Sequence, residues 1–236
     1  MRMEDTVQKL GVPIAIVVAG ALIAAALFFS GGQKSAPQPV AQGQNQPSST
    51  DQTVSGVQAD DHVFGNPSAE VTIIEFSDTE CPFCKRFHET MNKVMAEYGK
   101  DGKVAWVYRQ LPLPQLHPKA PREAEATECA AELGGNDVFW KYTNSIYAVT
   151  PANNGLEDAQ LFTLAAEAGL DAGAFKKCLE SGSMKERVEK DVAEATTLGI
   201  NGTPHSLILY KGKQIPIEGA QPFEVVKQLI EQMLAE

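Results

Sequence analysis

Ile73-Ile74-Glu75-Phe76-Ser77-Asp78-Thr79-Glu80-Cys81-Pro82-Phe83-Cys84-Lys85-Arg86-Phe87-His88 sets two cysteines three positions apart, between an apolar run and a helical pattern. The run from Val71 to Phe76 reads as a strand that stops at a short polar turn. Phe83, Phe87, Met91, Val94, Met95 and Tyr98 then recur at three- and four-residue spacing, one apolar face of a helix ending near Gly99. Pro82 suits the first helical position, where a missing N–H costs nothing. Cys81 therefore falls at the helix N-terminus, where unpaired N–H groups and the macrodipole stabilise an anion such as a thiolate. Cysteines so placed have pKa values lowered to roughly 3.5–7.5. Cys84, one turn on and on the same face, is near enough to close a small disulfide ring. Cys81 is expected to be the exposed nucleophile and Cys84 the shielded resolving thiol. The competing reading is a metal site, with Cys81, Cys84 and His88 as three ligands of zinc. No second CxxC or HxxxH pair completes such a site, so redox chemistry is favoured, no metal is expected, and His88 reads as a solvent-facing helix residue.

The strand–turn–Cys-Pro-Phe-Cys–helix unit resembles the thioredoxin superfamily, and within it the DsbA-like thiol-disulfide oxidoreductases. The same resemblance covers Asp61 to Pro67, Tyr108 to Ala120 with its Leu116-His117-Pro118, and Gly202-Thr203-Pro204, most of the chain from about Asp60 onward. It implies a cis Thr203–Pro204 bond facing the active cysteines. It also implies that Glu75, six residues before Cys81, is the acid thought to ferry protons for the buried cysteine. Apolar neighbours on both sides argue that Glu75 is buried and titrates high through desolvation, against the alternative of an edge-strand glutamate in solvent. Thr203 and Pro204 would hold a client backbone as an added strand, and Pro82 and Phe83 complete the expected substrate contacts. Phe83 either shapes the redox poise or offers an apolar contact to clients. Glu80 opposes the Cys81 thiolate if it lies close, or else points into water. His117 is expected to cap or pack where the insertion begins; for His205, next after the expected cis proline, approach to the disulfide is the lesser reading and no direct role is assigned.

The 236 residues carry 43% hydrophobic side chains and a net charge of −10, a balance that argues against nucleic acid, which wants a basic face. Residues 1–57 hold three basic groups (Arg2, Lys9, Lys34) and three acidic ones (Glu4, Asp5, Asp51), so the whole excess lies beyond them. Leu10 to Phe29 is an uncharged apolar run of bilayer-spanning length. Arg2 and Lys9 ahead of it place residues 1–9 in the cytoplasm. An uncleaved signal-anchor is favoured over a cleaved signal peptide, because the run is long and Phe28-Phe29 fits a cleavage site poorly. Residues 30–57, rich in Gly, Gln, Pro and Ser, read as a flexible linker.

The folded part is expected over 58–236. A short strand lies near His62-Val63-Phe64, the central strand and active-site helix follow, and Lys103 to Gln110 is a further strand. Helices then fill about 118–198: one holding Cys129 and ending at Gly134-Gly135, one over Asp137–Tyr147, one over Leu156–Ala168, one over Asp171–Leu179, and one opened by a capping box at Ser183-Met184-Lys185-Glu186. A hairpin (Ser206–Tyr210, Lys213–Ile217) and an amphipathic helix from Pro222 close the chain. The fold class expected is α/β: a thioredoxin fold with an all-helical insertion, preceded by one transmembrane helix and a disordered linker. With Cys81 and Cys84 taken as the redox pair in an oxidising compartment, Cys129 and Cys178 are expected to form a structural disulfide; two separate buried thiols are the alternative.

These readings converge on a single-pass, membrane-anchored thiol-disulfide oxidoreductase whose catalytic part lies outside the cytoplasm and introduces disulfides into reduced exported proteins. Recycling calls for a membrane thiol-oxidising partner of DsbB-like or VKOR-like type, and no further cofactor is expected. A reductase or isomerase, a metallochaperone binding through the reduced pair, and a redox-independent client-binding module are the alternatives.

Overall fold

The computed structural model describes residues 53–236. A five-stranded mixed sheet runs in the order β1-β3-β2-β4-β5, with β1 at His62–Gly65, β2 at Val71–Ser77, β3 at Val104–Gln110, β4 at His205–Tyr210 and β5 at Lys213–Glu218. β2 and β3 are parallel, Glu75 beside Tyr108; the other pairs are antiparallel, and Glu75 faces Ser206 of β4 on its other side. A parallel pair needs a crossover. Here it is α1, Pro82–Val94, which relaxes into a π-helical turn over Met95–Gly99. All seven residues of β2 are buried, as a strand covered on both faces must be.

Alternation along the strands divides the core into two layers. Val71, Ile73, Trp106, Tyr108 and Ile208 face α1 and the C-terminal helix α6, Phe223–Leu234, and meet Phe87, Met91, Val226 and Ile230 there. Ile74, Phe76 and Val107 face the other way, against Val54 and Ala195. Between β3 and β4 lie four helices: α2 (Ala120–Val149), α3 (Asp158–Ala168), α4 (Ala172–Ser181) and α5 (Lys185–Thr197). The second half of α2 brings Phe139, Trp140 and Tyr147 onto the sheet core, while α2, α3 and α4 build their own core around Tyr142, Leu161 and Phe175.

The two helices expected on either side of Gly134-Gly135 are found: the stretch written here as α2 is broken at Gly135, whose non-helical φ of 77° and ψ of −174° only glycine adopts readily. Other expectations change. The capping box at Ser183 does not form: Met184 is the N-cap, and the Ser183 hydroxyl is given to the Cys178 carbonyl at 3.4 Å. A reciprocal cap occurs instead at α3, between Glu157 and Gln160. The ordered body also begins before residue 58. Val54 is buried and exchanges hydrogen bonds with the Gln214 side chain at 2.9 and 3.2 Å. Buried Arg109 donates to the carbonyls of Ser55 (3.2 Å) and Gly56 (3.0 Å) and pairs with Asp61 and Glu194. Composition favoured a linker there; a buried guanidinium with five donors to satisfy holds it down. The expected membrane span at 10–29 and residues 30–52 of the expected linker lie outside the described residues. Among the described residues no helix is long and apolar enough to cross a membrane.

Candidate active site

The C-terminal end of β2 leads into the turn Asp78–Glu80, and Cys81 follows as the N-cap of α1, in extended backbone with Pro82 at the first helical position. Proline there fixes the helix entry without sacrificing a hydrogen bond. Across from it, Thr203–Pro204 is a cis peptide bond immediately before β4. The Cys81 Sγ lies 3.4 Å from the Thr203 carbonyl oxygen, to which the protonated thiol donates. Cys81 is 5% exposed and Cys84 fully buried, both as free thiols. The sequence led to an openly exposed Cys81; the structure tucks it against the Thr203 carbonyl, so only an edge of the residue meets solvent.

The two thiols are electrostatically unlike. The Cys81 pKa falls from 9.0 to about 6: the Cys84 thiol donates toward its sulfur, the Cys84 and Phe83 N–H groups and the Thr203 hydroxyl assist, and burial opposes. Cys84 moves well above its ordinary value, first through burial and then through its hydrogen bond to Cys81 and the charges of Cys81 and Glu75. Its sulfur accepts the Asp78 N–H at 3.4 Å. One sulfur is thus poised as a thiolate and the other as a thiol.

Glu75 is fully buried on the central strand, which removes the edge-strand alternative. Burial lifts its carboxyl from 4.5 to about 7, against hydrogen bonds from Ser77 and Trp106. Trp106 Nε1 donates to Oε2 at 2.9 Å, and Oε1 has no partner. Beside it the hydroxyls of Ser77, Tyr147 and Tyr108 form a chain with 3.0 Å links. Sequence reading missed this chain. The cross-strand register of Glu75 with Tyr108 could have suggested one member, but nothing local points to Tyr147, seventy residues beyond Ser77.

The remaining residues fall as follows. Phe83 is 54% exposed at the rim, with the Arg86 guanidinium 5.3 Å from its ring centre. His88, expected in solvent, is buried. Its ring stacks on Tyr147 at 4.2 Å, Nε2 meets Asn144 at 2.6 Å, and burial lowers its pKa to about 4. It faces the aromatic core and not the cysteines, and no group of three potential metal ligands occurs among the described residues. Glu80, read as either opposing Cys81 or pointing into water, is also buried, taken up by the loop between α2 and α3. His117 packs at the start of the insertion, bonded to Asp78 at 2.9 Å. His205 is partly buried at the start of β4. Cys129 and Cys178, far from this site in sequence, are joined as a disulfide between α2 and α4.

A family model described as Thioredoxin matches residues 58–232. Among solved structures, DsbA2 of Pseudomonas aeruginosa superposes with a TM-score of 0.61 at 26% identity, over 75% of this chain and 96% of that one. Oxidised BdbD of Bacillus subtilis superposes with a TM-score of 0.65 at 23% identity, over 75% and 94%. Among curated proteins, a Na(+)/H(+) antiporter NhaA 1 of Mycolicibacterium gilvum is 33% identical over 162 residues, 68% of this chain but 25% of that protein. The chain spans about a quarter of the length of the curated relatives it matches.

Proposed function

Since the chain belongs to the Thioredoxin family whose model covers residues 58–232, and has DsbA-type thiol-disulfide oxidoreductases as structural relatives, we propose that it acts as a net oxidant of protein thiols. The observation that carries this reading is the split between its two cysteines: Cys81 at a helix N-terminus with a pKa of about 6, Cys84 buried with its pKa raised. A stabilised thiolate favours the reduced protein, and so makes the Cys81–Cys84 disulfide oxidising.

In the forward direction a client thiolate attacks the Cys81 sulfur of the disulfide. The S–S bond breaks, a client–Cys81 disulfide forms, and Cys84 leaves as a thiolate. That anion is buried and needs a proton, which Glu75, whose charge helps raise the Cys84 pKa and which itself titrates near 7, is placed to supply. A second client thiolate then attacks the client sulfur and expels the Cys81 thiolate, a good leaving group because its pKa is low. Two electrons have passed from the client dithiol to the pair. Pro82, Phe83, Thr203 and Pro204 form the rim against which a client segment lies.

We place this activity outside the cytoplasm, with residues 10–29 as a membrane anchor and a DsbB-like or VKOR-like partner as oxidant. The Cys129–Cys178 bridge supports that setting, since disulfides persist in such compartments. Sodium–proton exchange is not carried over from the curated relatives, because the match spans only a quarter of them.

Equilibration with glutathione, followed by refolding of a reduced client, tests the reading. A reduction potential between about −120 and −200 mV with stoichiometric oxidation of the client is expected; a value near the thioredoxin figure of about −270 mV makes the protein a reductase.

A further inference from the structure

Three buried carboxyl groups, Asp78, Glu80 and Glu123, crowd the turn that presents Cys81. Asp78 is fully engaged, accepting the N–H groups of Glu80 and Leu113 at 2.8 Å and meeting His117 Nδ1 at 2.9 Å. The Glu80 carboxylate accepts from the N–H groups of Asn154, Gly155 and Leu156, the last two at 3.2 Å, and its carbonyl accepts from Asn153 at 2.8 Å. This cradle depends on Ala152, Asn153 and Asn154 all holding left-handed φ angles, 64°, 52° and 66°, which turn successive N–H groups toward one anion. Glu123 arrives at the same point from α2. Its carboxyl lies close enough to that of Glu80 to feel its charge, and its Oε2 is buried without a hydrogen-bond partner. Two buried carboxyls this close are tolerable only with a proton between them.

We propose that Glu123 is a positioning residue for Cys81: through a proton shared with Glu80 it fastens helix α2 and the loop 150–156 to the residue that directly precedes the nucleophile. The N–H cradle and the shared proton also keep the Glu80 charge turned away from the Cys81 thiolate one residue on. The purpose of this device rests on the thiol–disulfide reading above; its readouts do not.

The surroundings define how the device responds to pH. Burial, then Glu80 and Asp78, hold the Glu123 carboxyl up at about 9, and the Thr79 hydroxyl works against them. On its own helix Lys119 and Arg122 are met by Glu157 and Asp158 at the start of α3, and Tyr142 donates to the Leu161 carbonyl at 3.0 Å. From α1, Lys85 donates to the Thr150 carbonyl at 2.6 Å and so holds the same loop. Glu123 also lines a cavity of about 170 Å³ with Pro118, Leu156 and Leu161, through which solvent can take its proton at high pH. Loss of that proton places two anions side by side and releases the loop.

The test uses the full chain with the Cys81–Cys84 pair reduced, comparing wild type with Glu123→Gln, which keeps a neutral donor, and Glu123→Leu, which does not. Alkylation of Cys81 is followed by peptide mass spectrometry against pH, and amide exchange of residues 150–156 is followed from pH 7 to 10. The wild-type loop should lose protection through about pH 9 and the Gln variant should not. At pH 6 the Gln variant should alkylate within twofold of wild type, and the Leu variant at least threefold more slowly. If Glu123→Leu does not fold, the comparison of wild type with Glu123→Gln near pH 9 decides alone. Absence of a wild-type step, or a Gln variant that behaves like the Leu variant, overturns the proposal. Inability to oxidise a client with these readouts intact would count against the oxidant reading and leave the role of Glu123 standing.

Discussion

Glu75 changes charge near pH 7, in the range where thiols are exchanged, because it has no solvent and only one strong hydrogen bond. Its folded pKa lies above its unfolded value, so the stability associated with its proton is complete below about pH 4.5 and is lost as pH rises through 7. Glu75→Gln should therefore gain on wild type across that window and hold a constant advantage above it, about 3 kcal/mol at most, measured by urea unfolding at pH 4.5 and pH 8. The same variant should slow the steps in which Cys84 gains or loses a proton by about 10-fold or more and flatten their pH dependence near 7. Cys81 has the opposite sign. Its pKa of about 6 lies below the ordinary 9.0, so reduced protein gains stability as pH rises from 6 to 9 and loses it as pH falls through 6. The gap between reduced and oxidised protein, read from parallel melts, should widen over that interval, and Cys81 should alkylate before Cys84 with a midpoint near pH 6. A midpoint near 9 would remove the basis for an oxidising disulfide. At this scale the nucleophile was legible because its environment is made by adjacent residues, Pro82 and the helix it opens. Glu80 and His88 were misplaced because their partners, Leu156 and Tyr147, are supplied by the insertion.

The elements were legible wherever periodicity and punctuation agree, as in β2, α1 and the hairpin of β4 and β5. They were less so in the insertion, where helices pack on helices and each boundary is decided by a tertiary contact. The break at Gly135 was legible from the Gly134-Gly135 pair, and the half of α2 beyond it carries Phe139 and Trp140 to the sheet core. The loss of the Ser183 capping box was not, since that hydroxyl goes to the Cys178 carbonyl. The Cys129–Cys178 bridge ties α2 to α4 across a separation of 49 residues. In the chain-entropy picture such a loop corresponds to about 4 kcal/mol, an upper figure. Replacing both cysteines by alanine should lower the unfolding midpoint accordingly while leaving the Cys81 alkylation profile in place, since the bridge belongs to the core of α2–α4 and not to the sheet. A changed profile would show that the insertion's core governs the active-site turn more directly than its contacts suggest.

At the scale of the whole body over residues 53–236, the segment 53–61 brings Val54 onto the sheet face that α5 also covers. Arg109 is its fastening, with Asp61 and Glu194 as counter-charges. Truncation to Arg109→Ala leaves the buried Asp61 carboxylate without its partner, a change that costs about 3–5 kcal/mol. Equilibrium unfolding should show that loss, and limited proteolysis should cut first between residues 53 and 61. Composition concealed this strap, because glycine, serine and glutamine there look like a spacer until the cation beneath them is seen. Its geometry has a mechanical meaning. Val54 is tied to the Gln214 side chain on the edge strand β5, while Arg109 stands opposite Phe76, one residue short of the end of β2, with its guanidinium 6.0 Å from the Phe76 ring centre. The strap therefore crosses from the edge of the sheet to the end from which Cys81 emerges. A load on residues 53–61 is felt first by the Arg109 clamp, at the foot of the active-site turn.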